Sequence, residues 1–343
     1  MRLVQANNLD LTRFQFDYDL TFAAFMLNAD GTIYGRYGTR TKHEAADDVS
    51  LAGFRESLTA ALALHARYPQ NKASLAGKQA RPTNKKRPEE YAQLAEFKPK
   101  LDYEGQVVKS CMHCHQIRDA ERHEFRTARK PIPDEVLFPY PMPETIGFSL
   151  DPQQRATVRS VEPKSLAVAA GLKTGDELLT LAGQPILSIA DVQWVLQNTA
   201  DAAELPATVR RGDRELKMTL KLSAGWRRTS DIAWRTTTWD LRRMGFGGLW
   251  LVEPTAVERQ AAGVAEDALA LRVKHVGQYG NHAVAKNAGV RESDIVVEFD
   301  GLAARRTESE LLAHAMQKKQ PGDKVEVVVQ RGAEKVRLSF SLQ

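Results

Sequence analysis

Two cysteines stand in this chain, and both fall in one pentapeptide, Cys111-Met112-His113-Cys114-His115. The pattern C-x-x-C-H is the attachment signature of c-type haem: two thiols for thioether bonds, then a histidine placed to ligate the iron. On one helical turn residues 111 and 114 project to the same side, and the next residue carries its imidazole over the iron axis. A haem held in this way makes the chain an electron carrier of an oxidising, extracytoplasmic compartment, with a redox partner protein. The same residues also fit a redox dithiol, a zinc half-site or no chemistry at all. Zinc is the weakest of these, because the four donors crowd one another and there is no second C-x-x-C or H-x-x-x-H.

Residues 101–110 (LDYEGQVVKS) read as a short amphipathic helix, with Val107 and Val108 available to cover a porphyrin face. This Gly-x-Val-Val-x-x-Cys-x-x-Cys-His run resembles the first helix and attachment site of cytochrome c. The resemblance implies covalent haem c on Cys111 and Cys114, with His115 as the first metal ligand. Met142, in a Pro-rich loop, is the favoured second ligand. His123 is its rival, but eight residues beyond His115 it continues the same helix and has trouble reaching the opposite face.

The elements that must position this segment differ along the chain. With 343 residues and 43% hydrophobic content, two to three domains are expected. No run approaches 18 apolar residues, so no span crosses a bilayer. The first seven residues lack the apolar core of a signal peptide, which conflicts with an oxidising compartment; an internal or misassigned start, with the signal peptide upstream, reconciles the two. In residues 1–68, two β-rich runs (21–27 and 32–37) meet at Asn28-Ala29-Asp30-Gly31, a hairpin signal. Ser50 then caps a helix over 51–68 with Phe54, Leu58, Leu62 and Leu64 as its apolar stripe. That order resembles the C-terminal half of a thioredoxin-like domain. The first strand, first helix, redox dithiol and cis-proline of such a domain are missing, Leu20-Thr21 standing where the proline would be. The connector 69–100 is rich in cations and breakers. From 67 to 100 nine Lys and Arg face three Glu, so the remainder of this +5 chain is about neutral. Without interleaved aromatics it reads as a solvated linker rather than a nucleic-acid-binding surface.

From 144 onward the sequence repeats itself. Gly171-Leu172-Lys173-Thr174-Gly175-Asp176 is echoed by Gly289-Val290-Arg291-Glu292-Ser293-Asp294, and Arg211-Gly212 by Arg331-Gly332. Together with Val161-Glu162-Pro163 and the Ala169-Ala170-Gly171-Leu172 turn, this resembles the PDZ domain of bacterial envelope proteins. The resemblance implies that an extended peptide adds to an open sheet edge while its terminal carboxylate is received by backbone amides. In the first copy the receiving loop is Thr145-Ile146-Gly147-Phe148. Phe148 and Leu150 line the pocket for the last side chain, and Val192 and Leu196 form the opposing helix wall. The same residues also read as plain core of a degenerate scaffold. In the second copy Gly245-Phe246-Gly247 suits the loop and Leu311, Leu312 and Met316 the wall. An insertion over 253–267 puts peptide binding there in doubt. Trp226, Trp234 and Trp239 are expected to pack between the two modules.

No H-E-x-x-H, G-x-S-x-G, G-x-G-x-x-G or phosphate loop occurs. The whole order resembles a family of thioredoxin-like/PDZ proteins, some of them selenoproteins, and a selenocysteine codon upstream fits a start assigned too late. The expectation is a multidomain α+β chain: a partial thioredoxin-like α/β unit (1–68), a linker (69–100), a small helical haem segment (101–143), and two PDZ modules, β-barrels or sandwiches with helices (144–223 and 224–343). Its alternative function is a peptide-binding scaffold in which C-x-x-C-H is a dithiol or a structural element without haem.

Overall fold

The turn Asn28-Ala29-Asp30-Gly31 joins two antiparallel strands, β1 (Ala24–Leu27) and β2 (Ile33–Tyr37), with Gly31 at φ 86°, a conformation open to glycine at no steric cost. In the computed structural model, which describes residues 3–41 and 48–343, this hairpin is a sheet of two strands and joins no other strand among the described residues. A thioredoxin-like half would extend a larger sheet, so that expectation is not met. Met1 and Arg2, part of the reading of the start, lie outside the described residues.

Helix α1 (Leu51–His65) begins where its cap requires: Ser50 Oγ accepts from the Gly53 amide at 2.9 Å. Its buried face takes in only part of the expected stripe, Leu64 with Phe54 packed beside it. Gly53, Ser57, Ala61 and Leu64 are buried, whereas Leu58 and Leu62 are 40% and 68% exposed. Close approach is the reason: a Cβ on Gly53 would stand 2.1 Å from the carbonyl oxygen of Pro152. The helix docks through its small residues. Residues 69–100 are likewise no solvated linker, for 3-10 turns at Lys72–Lys78, Pro88–Glu90 and Ala92–Leu94 bury Leu75, Lys78 and Leu94. Short helices α2 (Val107–Ser110) and α4 (Asp134–Leu137) flank the longer α3 (Cys114–Thr127).

The chain divides into two units, residues 1–117 with 138–230 and residues 118–137 with 231–343. In the first, strands β3 (Phe148–Leu150) and β4 (Val158–Val161) pair, α5 (Leu166–Ala169) follows, and β5 (Glu177–Leu181), β6 (Gln184–Pro185), α6 (Ile189–Gln197), β7 (Ala203–Arg211) and β8 (Arg214–Leu222) complete it. The ladder order is β6-β5-β7-β8, and a bridge from Thr157 to Glu177 ties β4 to β5. The second unit runs α7 (Thr238–Phe246), β9 (Leu249–Val252), α8 (Ala256–Ala261), β10 (Leu271–Val276), α9 (Val284–Asn287), β11 (Ile295–Phe299), α10 (Glu308–Lys318), β12 (Lys324–Arg331) and β13 (Glu334–Ser341). Its five strands lie in the order β13-β12-β11-β10-β9, the first unit's order with the bridge completed. The tryptophans do not cluster: Trp226 sits in the core of the first unit, and Trp239 meets Trp250 edge-on at 5.4 Å in the second.

One interaction recurs in both copies. Asp176 takes both Nε and Nη2 of Arg211 at 2.7 Å and the Lys173 amide at 2.9 Å, while Arg211 Nη2 also reaches the Gly171 carbonyl. Asp294 holds Arg331 and the Arg291 amide in the same way, and Arg331 reaches Gly289. Burial alone would raise the Asp176 carboxyl, but Arg211 and the Lys173 amide outweigh it and hold it below the ordinary carboxylate range. Asp176→Ala is expected to lower the stability of the first unit by about 2 kcal/mol, since it leaves a buried turn without its acceptor. A carboxyl depressed by folding lends stability that is complete above its unfolded pKa and fades as pH falls through the folded value. Denaturant titrations should therefore show the mutant and wild type converging below about pH 4.

Candidate functional site

The C-x-x-C-H segment is anchored by a residue that spacing alone did not reveal. Asn7 Nδ2 donates to the carbonyls of Lys98 and Ser110 at 2.8 and 2.9 Å, and its Oδ1 accepts from the Met112 amide at 2.8 Å. Met112 is fully buried and its carbonyl accepts from the Ala6 amide. The two cysteines do not share a helical turn. Cys111 ends α2 in extended backbone (φ −84°, ψ 114°), and Cys114 opens α3. Both thiols are free and half-buried. Burial pushes the Cys114 thiol up, opposite to what a reactive dithiol needs.

His115 stacks on His113, their centroids 5.8 Å apart. Met142 Sδ accepts a hydrogen bond from Thr39 Oγ1 at 3.2 Å. His123 falls in the second unit, bonded to Asp240 at 2.8 Å and to Arg243. Among the described residues no group of three or more His, Cys, Asp or Glu side chains is gathered to hold a metal ion.

The groove residues of the first repeat do come together. Ile146, Phe148, Leu150, Val192 and Leu196 share one core and are each at most 2% exposed. Gly147 takes φ 92° at the loop, where a Cβ would stand 2.1 Å from Ser165 Cβ. In the second repeat the corresponding place is filled. Gly245 packs under Ala315 and Met316, Phe246 is buried against Phe299, and Gly247 ends α7 at φ 61°. Glu308 on α10 accepts from the Leu251 amide of the terminal strand β9 at 2.8 Å and is paired with the buried Arg242 of α7.

A PDZ-domain family model matches residues 144–222. Residues 144–222 are a PDZ domain. A probable periplasmic serine protease do/HhoA-like from Haemophilus influenzae is 36% identical over 78 residues, which is 23% of this chain and 17% of the relative; the chain therefore spans about one-sixth of that protein's length. Among solved structures, an HtrA3 PDZ domain bound to a phage-derived ligand (FGRWV) aligns at 25% identity and TM-score 0.18, over 19% of this chain and 60% of that one. The HtrA-type protease AlgW with a decapeptide aligns at 15% identity and TM-score 0.26, over 42% and 49%. Scores this low carry no further statement about fold.

These findings correct the haem reading of the pentapeptide. The Haemophilus influenzae relative is a probable protease rather than an electron carrier, and among the described residues no metal-holding cluster forms around Cys111, Cys114, His115 and Met142, so covalent haem c and electron transfer are overturned and a redox partner is left without support. Thioredoxin-like and selenoprotein membership falls with them: what matches is the PDZ domain. Among the described residues no helix is long and apolar enough to cross a membrane.

The segment's burial makes a measurable difference. With its pKa raised, Cys114 holds less thiolate at about pH 8 than a free thiol, so iodoacetamide should label it several-fold more slowly in the native protein than in denaturant, read by peptide mass spectrometry. Equal rates in the two conditions would contradict the burial described.

Proposed function

We propose that this chain is an extracytoplasmic peptide-binding scaffold whose PDZ domain takes the C-terminus of a partner protein. The observation that carries the reading is the PDZ match over 144–222 with Gly147 held left-handed at the loop. A glycine there lets the loop turn so that amides after its own, which is bonded to the Glu144 carbonyl, face an anion, and β3 is the terminal strand onto which a peptide strand would add. Ile146, Phe148, Leu150, Val192 and Leu196 supply an apolar receptacle for the last side chain. The 231–343 unit repeats the same strand order and acts as a second PDZ-type module whose own groove is closed by Glu308 and α7. The periplasmic setting of the relative supports the compartment. Its proteolytic activity is not carried over, since the likeness covers only 78 residues, 17% of that protein.

A library of random C-terminal heptapeptides displayed on phage tests this, panned against the full chain and, in parallel, against Gly35→Val, which wedges β2 away from α6. Sequences ending in an apolar residue should be enriched, and amidation of the free carboxylate should weaken their binding at least about tenfold. Gly147→Val should remove it. Failure of both proteins to enrich any C-terminal sequence, or equal binding of amidated peptides, would overturn the reading.

A further inference from the structure

The groove of the PDZ domain is not open to solvent, and the reason lies outside residues 144–222. Helix α6 has no free face. Val192, Val195 and Leu196 turn into the PDZ core. Gln193 Nε2 donates to the Tyr140 carbonyl at 3.0 Å and Gln197 Oε1 accepts from the Tyr140 amide at 2.6 Å, so the run just before the carboxylate loop is clamped along the helix. The remaining side is taken by the N-terminal segment. Asp191 Oδ1 accepts from the Arg36 amide at 3.2 Å, Ser188 Oγ donates to the Arg36 carbonyl at 2.5 Å, and Trp194 Nε1 donates to the Gly77 carbonyl at 2.8 Å. The Arg36 guanidinium lies over the Trp194 ring, 3.7 Å from its centroid.

The same segment reaches the other wall of the groove. Ser50 Oγ donates to the Pro152 carbonyl just past β3, and Ser57 Oγ to the Leu187 carbonyl just before α6, each at 2.8 Å. Thr39 touches Met142 at the entrance to the carboxylate loop. Within that loop the Gly147 amide is engaged by the Glu144 carbonyl at 3.0 Å rather than free for an anion. The cavity lined by Thr39, Val49, Pro152 and Ile189, where this segment meets the residues after β3 and at the start of α6, holds only about 10 Å³, barely a water.

We infer that residues 33–41 and 48–57, with Lys78, form a built-in cover of the PDZ groove, and that a partner's C-terminal strand enters only when this cover lifts. The inference rests on the peptide-binding reading. Its ligand is an extended segment ending in a free carboxylate and an apolar side chain, which would add to β3 in place of the cover. Leu187 joins Tyr34, Tyr37, Leu64 and Leu75 in one apolar cluster, but glycines at 35, 53 and 77 also meet the domain, and beside the cluster the contact is ionic. Lys78 Nζ pairs with the Asp191 carboxylate at 2.8 Å, and the buried Arg36 guanidinium, whose backbone amide binds the same carboxylate, draws only on its charge. The terminal nitrogens of Arg36 have no hydrogen-bond partner, and burial brings its pKa down to about 10. Opening returns both cations to water, and their hydration offsets the ion pair and hydrogen bonds that the open form gives up.

Two wedges on the cover test this without altering the domain. At Gly35 an added Cβ would stand 2.8 Å from Leu187 Cδ2, and at Gly53 it would stand 2.1 Å from the Pro152 carbonyl oxygen, so Gly35→Val and Gly53→Val push β2 and α1 outward. Hydrogen exchange of the 33–37 and 51–57 amides should speed up at least about tenfold, with β7 and β8 unchanged. Fluorescein-labelled peptides selected on the wedged proteins should bind the wild type at least about tenfold more weakly. If exchange in β7 and β8 also rises, the pair Thr39→Ala with Ser50→Ala, which removes cover bonds without adding bulk, gives the same comparison. Wild-type binding within about twofold of every variant would discard the cover while leaving peptide binding intact. Absence of any selected peptide from all the proteins would instead fell the peptide-binding reading, and the cover with it.

Discussion

Asp191 is the point on which the first unit turns. Its carboxylate, 1% exposed, accepts from the amides of Arg36 and Leu187 and from Lys78 Nζ, so one side chain on α6 fixes the hairpin, the 72–78 turn and the entry to its own helix. A carboxylate buried so completely persists only with donors on every side, and two of those donors come from segments more than a hundred residues away in sequence. Without Asp191, Lys78 and Arg36 would be buried cations with no counter-charge. The N-terminal segment could not then stay where it is, whatever its apolar contacts with Leu187.

The two repeats use a second buried aspartate for a different purpose. Asp176 and Asp294 each close a turn on themselves through an amide three residues back and an arginine from the strand end, which fixes β5 against β7 and β11 against β12. These pairs are local to their modules. They explain why the spacing Gly-x-x-x-x-Asp followed by Arg-Gly survives in both copies while the surrounding residues diverge.

Legibility in the sequence followed the range of the interaction. The 28–31 turn, the Ser50 cap and the repeat depend on neighbours within a few residues, or on a pattern present twice, and all three could be read. The docking face of α1 could not, because Gly53, Ser57 and Ala61 carry no hydrophobic signal; their smallness matters only once Pro152 is known to lie against them. Lys78 was hidden by composition. A lysine among nine cations reads as solvent-facing, and nothing near it announces a partner at 191. The pentapeptide misled for the opposite reason: its spacing is diagnostic only if residues 111 and 114 share a turn, and Asn7, far upstream, holds Met112 so that they do not.

The two closed grooves differ in what closes them. In the second unit Glu308 belongs to α10 itself and bonds directly to β9, while Arg242 comes from the helix that leads straight into that strand; opening would strand a buried guanidinium and a buried strand amide inside one module. In the first unit the closing bonds come from residues 33–41, 48–57 and 78, a separate stretch of chain, and the PDZ core beneath, from Ile146 to Leu222, makes its own contacts without it. A closure internal to a module is part of its fold, whereas one supplied by a separate segment is an equilibrium that a ligand with differential affinity can shift. On the peptide-binding reading proposed above, the same architecture is thus committed to structure in one copy and left available for recognition in the other.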